Sequence, residues 1–279
     1  YGLARFNFGF AKKILLANPA GEIADLCFGA GEGSLSTPVA WIGVSAYAFQ
    51  IYFDFSAYSD MAIGLGRMFG FRFPENFNSP YKSRSITEFW RRWHISLSSF
   101  LRDYLYIPLG GNRKGTARTY INLMLVMLIG GLWHGAQWTF IAWGAIHGGM
   151  LALERFTSRK SQWTWIPAPV KVAATFIVLL VTWVFFRAEN FAVAGNYLGS
   201  MFCLGDHAPS AGLLLAQVTR PAALMFLAIC FWSAFAMPRS TEILQTLTTG
   251  KVILSLLLLL LALGFMFTQA FNPFLYFQF

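Results

Sequence analysis

The chain has 279 residues, of which 56% are hydrophobic and 12% charged, and its formal net charge is +9. Soluble domains carry about 25% charged residues, so composition argues against a water-soluble fold. A transmembrane β-barrel is excluded as well, because barrel strands alternate apolar and polar positions whereas this chain contains "VILSLLLLLLALGFMF". The expected fold is all-α: a polytopic transmembrane helical bundle with interfacial and broken helices.

The opening "YGLARFNFGFAKKILLANPA" starts on Tyr1 and shows no signal-peptide pattern, so it reads as the interior of a longer protein. Residues 18–37 carry Glu22, Asp25 and Glu32 and nothing basic. A span is expected near 38–66. The polar segment that follows carries Lys82, Arg84, Arg91, Arg92, Arg102, Arg113, Lys114 and Arg118. Cytoplasmic loops are rich in Lys and Arg, which puts 72–118 inside and 18–37 outside. Thr119–Leu153 is an uncharged run of 35 residues. As one helix it would reach ~52 Å, too long for a ~30 Å hydrocarbon core. A hairpin break is therefore expected at Gly130, Gly131 and Gly135, with His134 near the turn and ~22 Å from the cytoplasmic boundary.

Further on, 154–171 holds Arg155, Arg159, Lys160 and Lys171 and reads as inside. Val172–Phe186 reads as a span. Residues 188–219, with Glu189, Asp206 and His207, read as an outer segment. Pro221–Pro238 spans again, 239–251 lies inside, Val252–Phe271 spans, and the tail "FNPFLYFQF" ends outside. Positive-inside bias, with attraction to anionic lipid, accounts for the basic balance, so no nucleic acid is implied. Cys27, Cys203 and Cys230 follow no disulfide or metal pattern and read as buried thiols.

Ionisable groups inside a membrane are costly and mark candidate sites. His134, between Trp133 and Gly135, suits a base, an acid or a ligand, or a core histidine bonding a carbonyl freed at the hairpin. His94 lies in "EFWRRWHISLSSFLRDYLYIPLGG". Ser85–Glu88 reads as a capping box that starts a helix ending at Pro108. Trp90, His94, Leu97 and Leu101 would share one face of it, and Arg91, Ser98 and Arg102 another. That pattern also suits an amphipathic interfacial helix anchored by Arg and Trp. His147 lies 13 residues beyond His134, which is not metal spacing on one helix, and no Cys or carboxylate cluster supports zinc there. Asp54 and Asp60 read as structural, bonded to neighbouring Tyr52, Ser56, Tyr58 and Ser59 or to an arginine of the basic segment. There is no Gly-x-Ser-x-Gly elbow and no phosphate-binding loop.

Three stretches read together resemble one family: 52–115, with "RRWHIS"; 131–155, "GLWHGAQWTFIAWGAIHGGMLALER"; and the closing "NPFLYFQF". They resemble the membrane-bound O-acyltransferases, most nearly the bacterial alginate O-acetyltransferase branch and more distantly the teichoic-acid D-alanyl transfer proteins. The resemblance implies a single membrane domain over 1–279, built around a tunnel, in a chain truncated at its N-terminal end. It makes His134 the catalytic histidine and His94 the second residue of the pair. Trp93, Trp133, Arg91, Arg92, Asp103 and Asp54 are the expected supporting residues. No bound cofactor or metal is implied. The donor would be acetyl-CoA or an acyl-carrier thioester on the cytoplasmic side of a bacterial inner membrane. The partners would be membrane lipids and a periplasmic acetyltransferase, with a polysaccharide such as alginate as final acceptor.

Two other classes remain open on the residues alone. Asp54, Asp60, His94 and His134 could form the relay of a proton-coupled transporter or channel, although the inverted repeats that would support one are not visible. The chain could also serve as a scaffold for an acetylation partner.

Overall fold

The computed structural model describes residues 1–31, 33–158, 165–204, 211–268 and 274. Glu32, Arg159, Lys160, Asp206, His207 and all of the tail except Phe274 lie outside the described residues. The helices in chain order are α1 Gly2–Lys12, α2 Asn18–Phe28, α3 Thr37–Met68, α4 Ile86–Trp90, α5 Ile95–Leu101, α6 Thr116–His134, α7 Trp138–Ser158, α8 Ala168–Arg187, α9 Phe191–Met201, α10 Ala211–Val218, α11 Pro221–Phe235, α12 Ser240–Ile243 and α13 Thr249–Met266. A π-helical turn, Lys13–Ala17, joins α1 to α2.

Helices α6, α8 and α13 are each long and apolar enough to cross a bilayer, and α10 with α11 passes as a pair bent by 59°. The chain is a multi-pass membrane protein. The expected span near 38–66 is one continuous helix, α3, and the expected hairpin is α6 and α7 with its break at Gly135–Gln137. The segment read as outer, 188–219, contains α9 and α10, and α10 leads through a bend into α11. The apolar run "AGLLLAQV" explains this, since a peptide backbone among lipid or apolar side chains must satisfy its own hydrogen bonds.

The chain divides into two compact units, 1–76 with 206–279, and 77–205. In the first, Ala11 and Ile14 pack on Ala262 of α13, with Phe10 and Leu258 beside them. The same unit buries charge. Asp60 accepts from Arg5 Nε at 2.7 Å and from the Ser240 hydroxyl at 2.7 Å, and it pairs with Lys12 at 2.5 Å. Arg5 also donates to both carboxylate oxygens of Glu75, at 3.1 and 2.6 Å. Asp54 pairs with Lys13 at 2.5 Å. These cationic partners lie on α1 and the π-helical turn, whereas the sequence pattern offers either neighbouring hydroxyls or an arginine of the basic segment. The reason is positional: three cations in the first thirteen residues, Arg5, Lys12 and Lys13, lie along α3 and meet its acids.

In the second unit α6 and α7 pack backbone to backbone. A β-carbon on Gly131 would strike the Phe140 carbonyl oxygen, and one on Gly144 would strike that of Met127. Small residues let membrane helices approach in this way. Helix α7 packs in turn against α4 and α8. The core between them is aromatic, with Phe89, Trp93, Trp143 and Trp183 all buried.

Breaking a buried ion pair from one side is strongly destabilising, because the other charge is left unpaired in a poor solvent. Asp60→Asn keeps the side-chain volume but removes the charge facing Arg5 and Lys12. It should lower stability by about 3–5 kcal/mol, read as a clear fall in the thermal midpoint of the detergent-solubilised protein. An unchanged midpoint would show that the network carries no net stability.

Candidate active site

His134 is the last residue of α6, at the head of the hairpin. Its ring sits among aromatic rings: Trp133 and Phe186 at 5.0 Å, Trp143 at 5.5 Å and Phe140 at 6.4 Å between centroids. The glycine spacing produces this nest. Gly131 and Gly144 bring α7 against α6, so Phe140 and Trp143, from the first turns of α7, fold back onto the residue that ends α6. Phe186 arrives from the end of α8.

His94 reaches the same place by a different route from the one expected. The sequence predicts one helix from Ser85 to Pro108, with His94 in mid-helix on an apolar face. Its start is as expected: the Ser85 side chain accepts from the Glu88 amide at 3.0 Å. The Glu88 carboxylate, however, accepts from the Arg84 amide and not from that of the cap residue. The helix stops at Trp90, and α5 begins only at Ile95. The Arg92 carbonyl, which would serve the fourth residue on in a helix, accepts from the Asn78 amide at 2.9 Å. His94 itself is left-handed, at φ 44 and ψ 55. No glycine or proline announces this break. Tertiary packing imposes it, because Trp93 turns into the core against Phe77 at 5.1 Å, Trp183 at 5.3 Å and Phe89 at 5.4 Å. Short helices have little intrinsic stability with which to resist. Positive φ is uncommon outside glycine, though histidine is among the residues enriched there, and such backbone clusters at functional sites.

The kink sets the His94 ring 6.3 Å from Trp133, so that Trp133 has both histidine rings beside it. His94 is 8% exposed. It lies between α4 and α5, neither of which is long enough to be a span. Burial pushes its imidazole down to about 3, and the neighbouring His134 ring pushes the same way. It is therefore neutral at physiological pH.

The supporting residues divide. Trp133 neighbours both histidine rings and has 57% of its surface exposed. Trp93 is core packing one residue before the kink. Arg92 bonds Glu88 at 2.6 Å and the Asn78 carbonyl at 3.1 Å, bracing the turn. Burial raises the Glu88 carboxyl, but the Arg84 amide and Arg92 outweigh it and hold the group below its usual range. Asp103 is exposed and paired with Arg102 at 2.7 Å, on a π-helical turn after α5. Asp54 lies in the other unit, paired with Lys13. Arg91 is exposed. Sequence reasoning did not single out Trp143, Phe140 or Phe186, which form the nest around His134. The indole N–H groups of Trp143 and Trp183 are buried with no acceptor among the described residues. A signal was present for Trp143, nine residues after His134 across a glycine-rich turn.

The fold and the site together define a multi-pass membrane protein with two neighbouring histidines, His94 buried and His134 half-buried, in an aromatic nest. The membrane-bound O-acyltransferase family model matches residues 36–188, and the chain belongs to that family. Curated relatives include a probable alginate O-acetylase, AlgI, of Pseudomonas putida, 47% identical over all of this chain and 61% of the relative. The Pseudomonas aeruginosa protein of the same name is 55% identical over 73% of this chain and 39% of its own length. A peptidoglycan O-acetyltransferase of Helicobacter pylori is 40% identical over all of this chain and 56% of the relative. The chain thus spans about three-fifths of the length of the relatives it matches from end to end.

The buried neutral His94 makes a pH prediction. In the unfolded chain this group titrates near 6.5, and in the folded chain near 3. Between those values the unfolded state binds the extra proton, so stability is complete above about 6.5 and falls as pH drops, by up to about 1.4 kcal/mol per unit. His94→Gln cannot take up that proton. Its thermal midpoint should fall less than that of the parent between about pH 6.5 and pH 5. Parallel curves would mean that His94 is accessible to protons in the fold.

Proposed function

We propose that the full-length protein is an O-acyltransferase of the bacterial inner membrane. It moves an acetyl or other short acyl group from a cytoplasmic thioester to an extracytoplasmic polysaccharide hydroxyl, with alginate the favoured acceptor. The observation that carries this reading is the convergence of His94 and His134 on Trp133. Family membership and the printed names of the relatives support the chemical class.

The chemistry follows from the groups present. The hydroxyl attacks the thioester carbonyl while His134 takes its proton as general base. A tetrahedral oxyanion forms. Collapse breaks the carbon–sulfur bond, and the proton passes from His134 to the departing thiolate, leaving both groups neutral. The Trp143 indole N–H, buried beside His134 without an acceptor among the described residues, is a donor suited to the oxyanion. His94, beside the same tryptophan, orients the donor carbonyl. Such a mechanism needs neither a serine nucleophile nor a metal. Of the arginines in the motif around His94, Arg92 and Arg102 are engaged by Glu88 and Asp103. That leaves exposed Arg91 to attract the phosphates of acetyl-CoA or an acidic carrier. A periplasmic acetyltransferase would complete delivery to the polymer.

The test is transfer by purified full-length protein. His134→Ala should reduce kcat by about 10²–10⁴-fold, the usual contribution of a positioned base, with little effect on folding. Native transfer by that variant would refute the assignment. Loss of acetylation on deleting the whole protein, but not on changing either histidine, would instead identify a scaffold.

A further inference from the structure

The mechanism leaves one buried histidine unused. His147 lies in α7 and is 1% exposed. Trp90 Nε1–H donates to its Nδ1 at 3.2 Å, and its Nε2 lies 3.2 Å from Thr182 Oγ1. The Thr182 hydroxyl donates to the Leu179 carbonyl at 2.9 Å. An indole nitrogen is a donor only, so Nδ1 must carry a lone pair. The threonine proton is already committed to Leu179, so Nε2 carries the hydrogen and donates to Oγ1. Both ring nitrogens are satisfied in one neutral tautomer. A second proton would turn Nδ1 into a donor facing a donor. A metal would have to displace Trp90 or Thr182. This ring is neither a base for the reaction nor a ligand; it is a connector.

The connection continues along α7. Glu154 lies seven residues on, two turns along the same face. Its carboxylate accepts from the Ile86 amide at 2.5 Å, from the Thr87 amide at 2.8 Å and from the Thr87 hydroxyl at 2.7 Å. Glu154 thus caps the first turn of α4, while His147 grips its last residue, Trp90. A helix of five residues, Ile86–Trp90, is held at both ends by α7. Four residues after Trp90 comes His94 in its left-handed backbone.

We propose that His147, with Glu154, is a positioning residue that clamps α4 to α7, so that the helix emerging from the His134 turn also fixes where the His94 kink begins. This rests on the reading of His94 and His134 as the acyl-transfer pair. The register between the two histidines is set through one rigid helix, the kind of support that holds site residues to a fraction of an ångström.

The test uses the full-length protein with an acetyl thioester donor and three variants. His147→Gln can still accept from Trp90 with its carbonyl oxygen and donate to Thr182 with its amide. His147→Leu can do neither. Glu154→Gln places an amide against backbone donors and loosens the other end of α4. The His147→Leu and Glu154→Gln proteins should lose roughly 10–100-fold in kcat, the scale of a misplaced reacting group, with the donor KM changed less than about twofold. His147→Gln should recover most of the activity. Reaction of His94 with diethyl pyrocarbonate, mapped by mass spectrometry, is the readout independent of turnover. Its rate should shift in His147→Leu and in Glu154→Gln and stay native in His147→Gln. If His147→Leu does not fold, the Glu154→Gln and His147→Gln pair decides. Native kcat and native His94 reactivity in the disruptive variants would overturn the clamp, as would a His147→Gln protein as defective as His147→Leu. Native transfer by His134→Ala would overturn the acyl-transfer reading instead, and the His94 reactivity pattern would still decide the clamp.

Discussion

The second unit depends on the backbone contact between α6 and α7. At Gly131 and Gly144 the two helices meet with no room for a β-carbon. Any side chain there would force the helices apart and carry Phe140 and Trp143 away from His134. The reach of a side chain is short, and a ring that contacts another at 5.5 Å does not do so once its helix has moved by a methyl diameter. Close approach also makes α7 a fixed reference. Its inner face serves His134 through Trp143, α4 through His147 and Glu154, and α8 through His147 and Thr182.

The two units handle buried polarity in different ways. The first pairs full charges, Arg5 and Lys12 with Asp60 and Lys13 with Asp54. Pairs of this kind hold segments in register, but each member would be ruinous alone. The second unit relies around His147 on neutral donors and acceptors, an indole, an imidazole and a hydroxyl. Neutral groups suit the surroundings of a general base. A base must begin without its proton, and a neighbouring buried carboxylate would favour the charged imidazolium. With the buried charge pairs in one unit and neutral polar bonds around His147 in the other, the histidine pair is poised to accept a proton, not already holding one.

Much of this was legible in the sequence because membrane constraints are coarse. Uncharged run length marked the spans, and an uncharged run too long for one crossing placed a turn at the glycines beside His134. What was not legible was set by contacts between segments. The helix through His94 breaks without a breaker residue, because the Arg92 carbonyl and the Trp93 ring find better partners at Asn78 and in the aromatic core. The acids of α3 find their cations in the first thirteen residues, which no local pattern links to residue 60. His147 looked like a failed metal ligand by spacing. Its meaning lay in Trp90, 57 residues earlier, and Thr182, 35 residues later.

The break at His94 also explains why the arginine-aromatic motif need not be only an interfacial anchor. In one straight helix the face that holds His94 would hold Trp90, Leu97 and Leu101 as well, and all four would meet the same surroundings. The left-handed residue separates them. Trp90 is held by His147, Trp93 enters the core, Arg91 stays exposed, and His94 turns to Trp133. Strained backbone of this kind costs on the order of 1–3 kcal/mol, and a short helix cannot sustain it unaided. The contacts on either side supply that support: Arg92 with Glu88 and Asn78, Trp93 with Phe77, Tyr81, Phe89 and Trp183, and α4 with α7. A chain that gathers its arginines and tryptophans at one place can thus hold a single histidine in a conformation that neither a helix nor a free loop would keep.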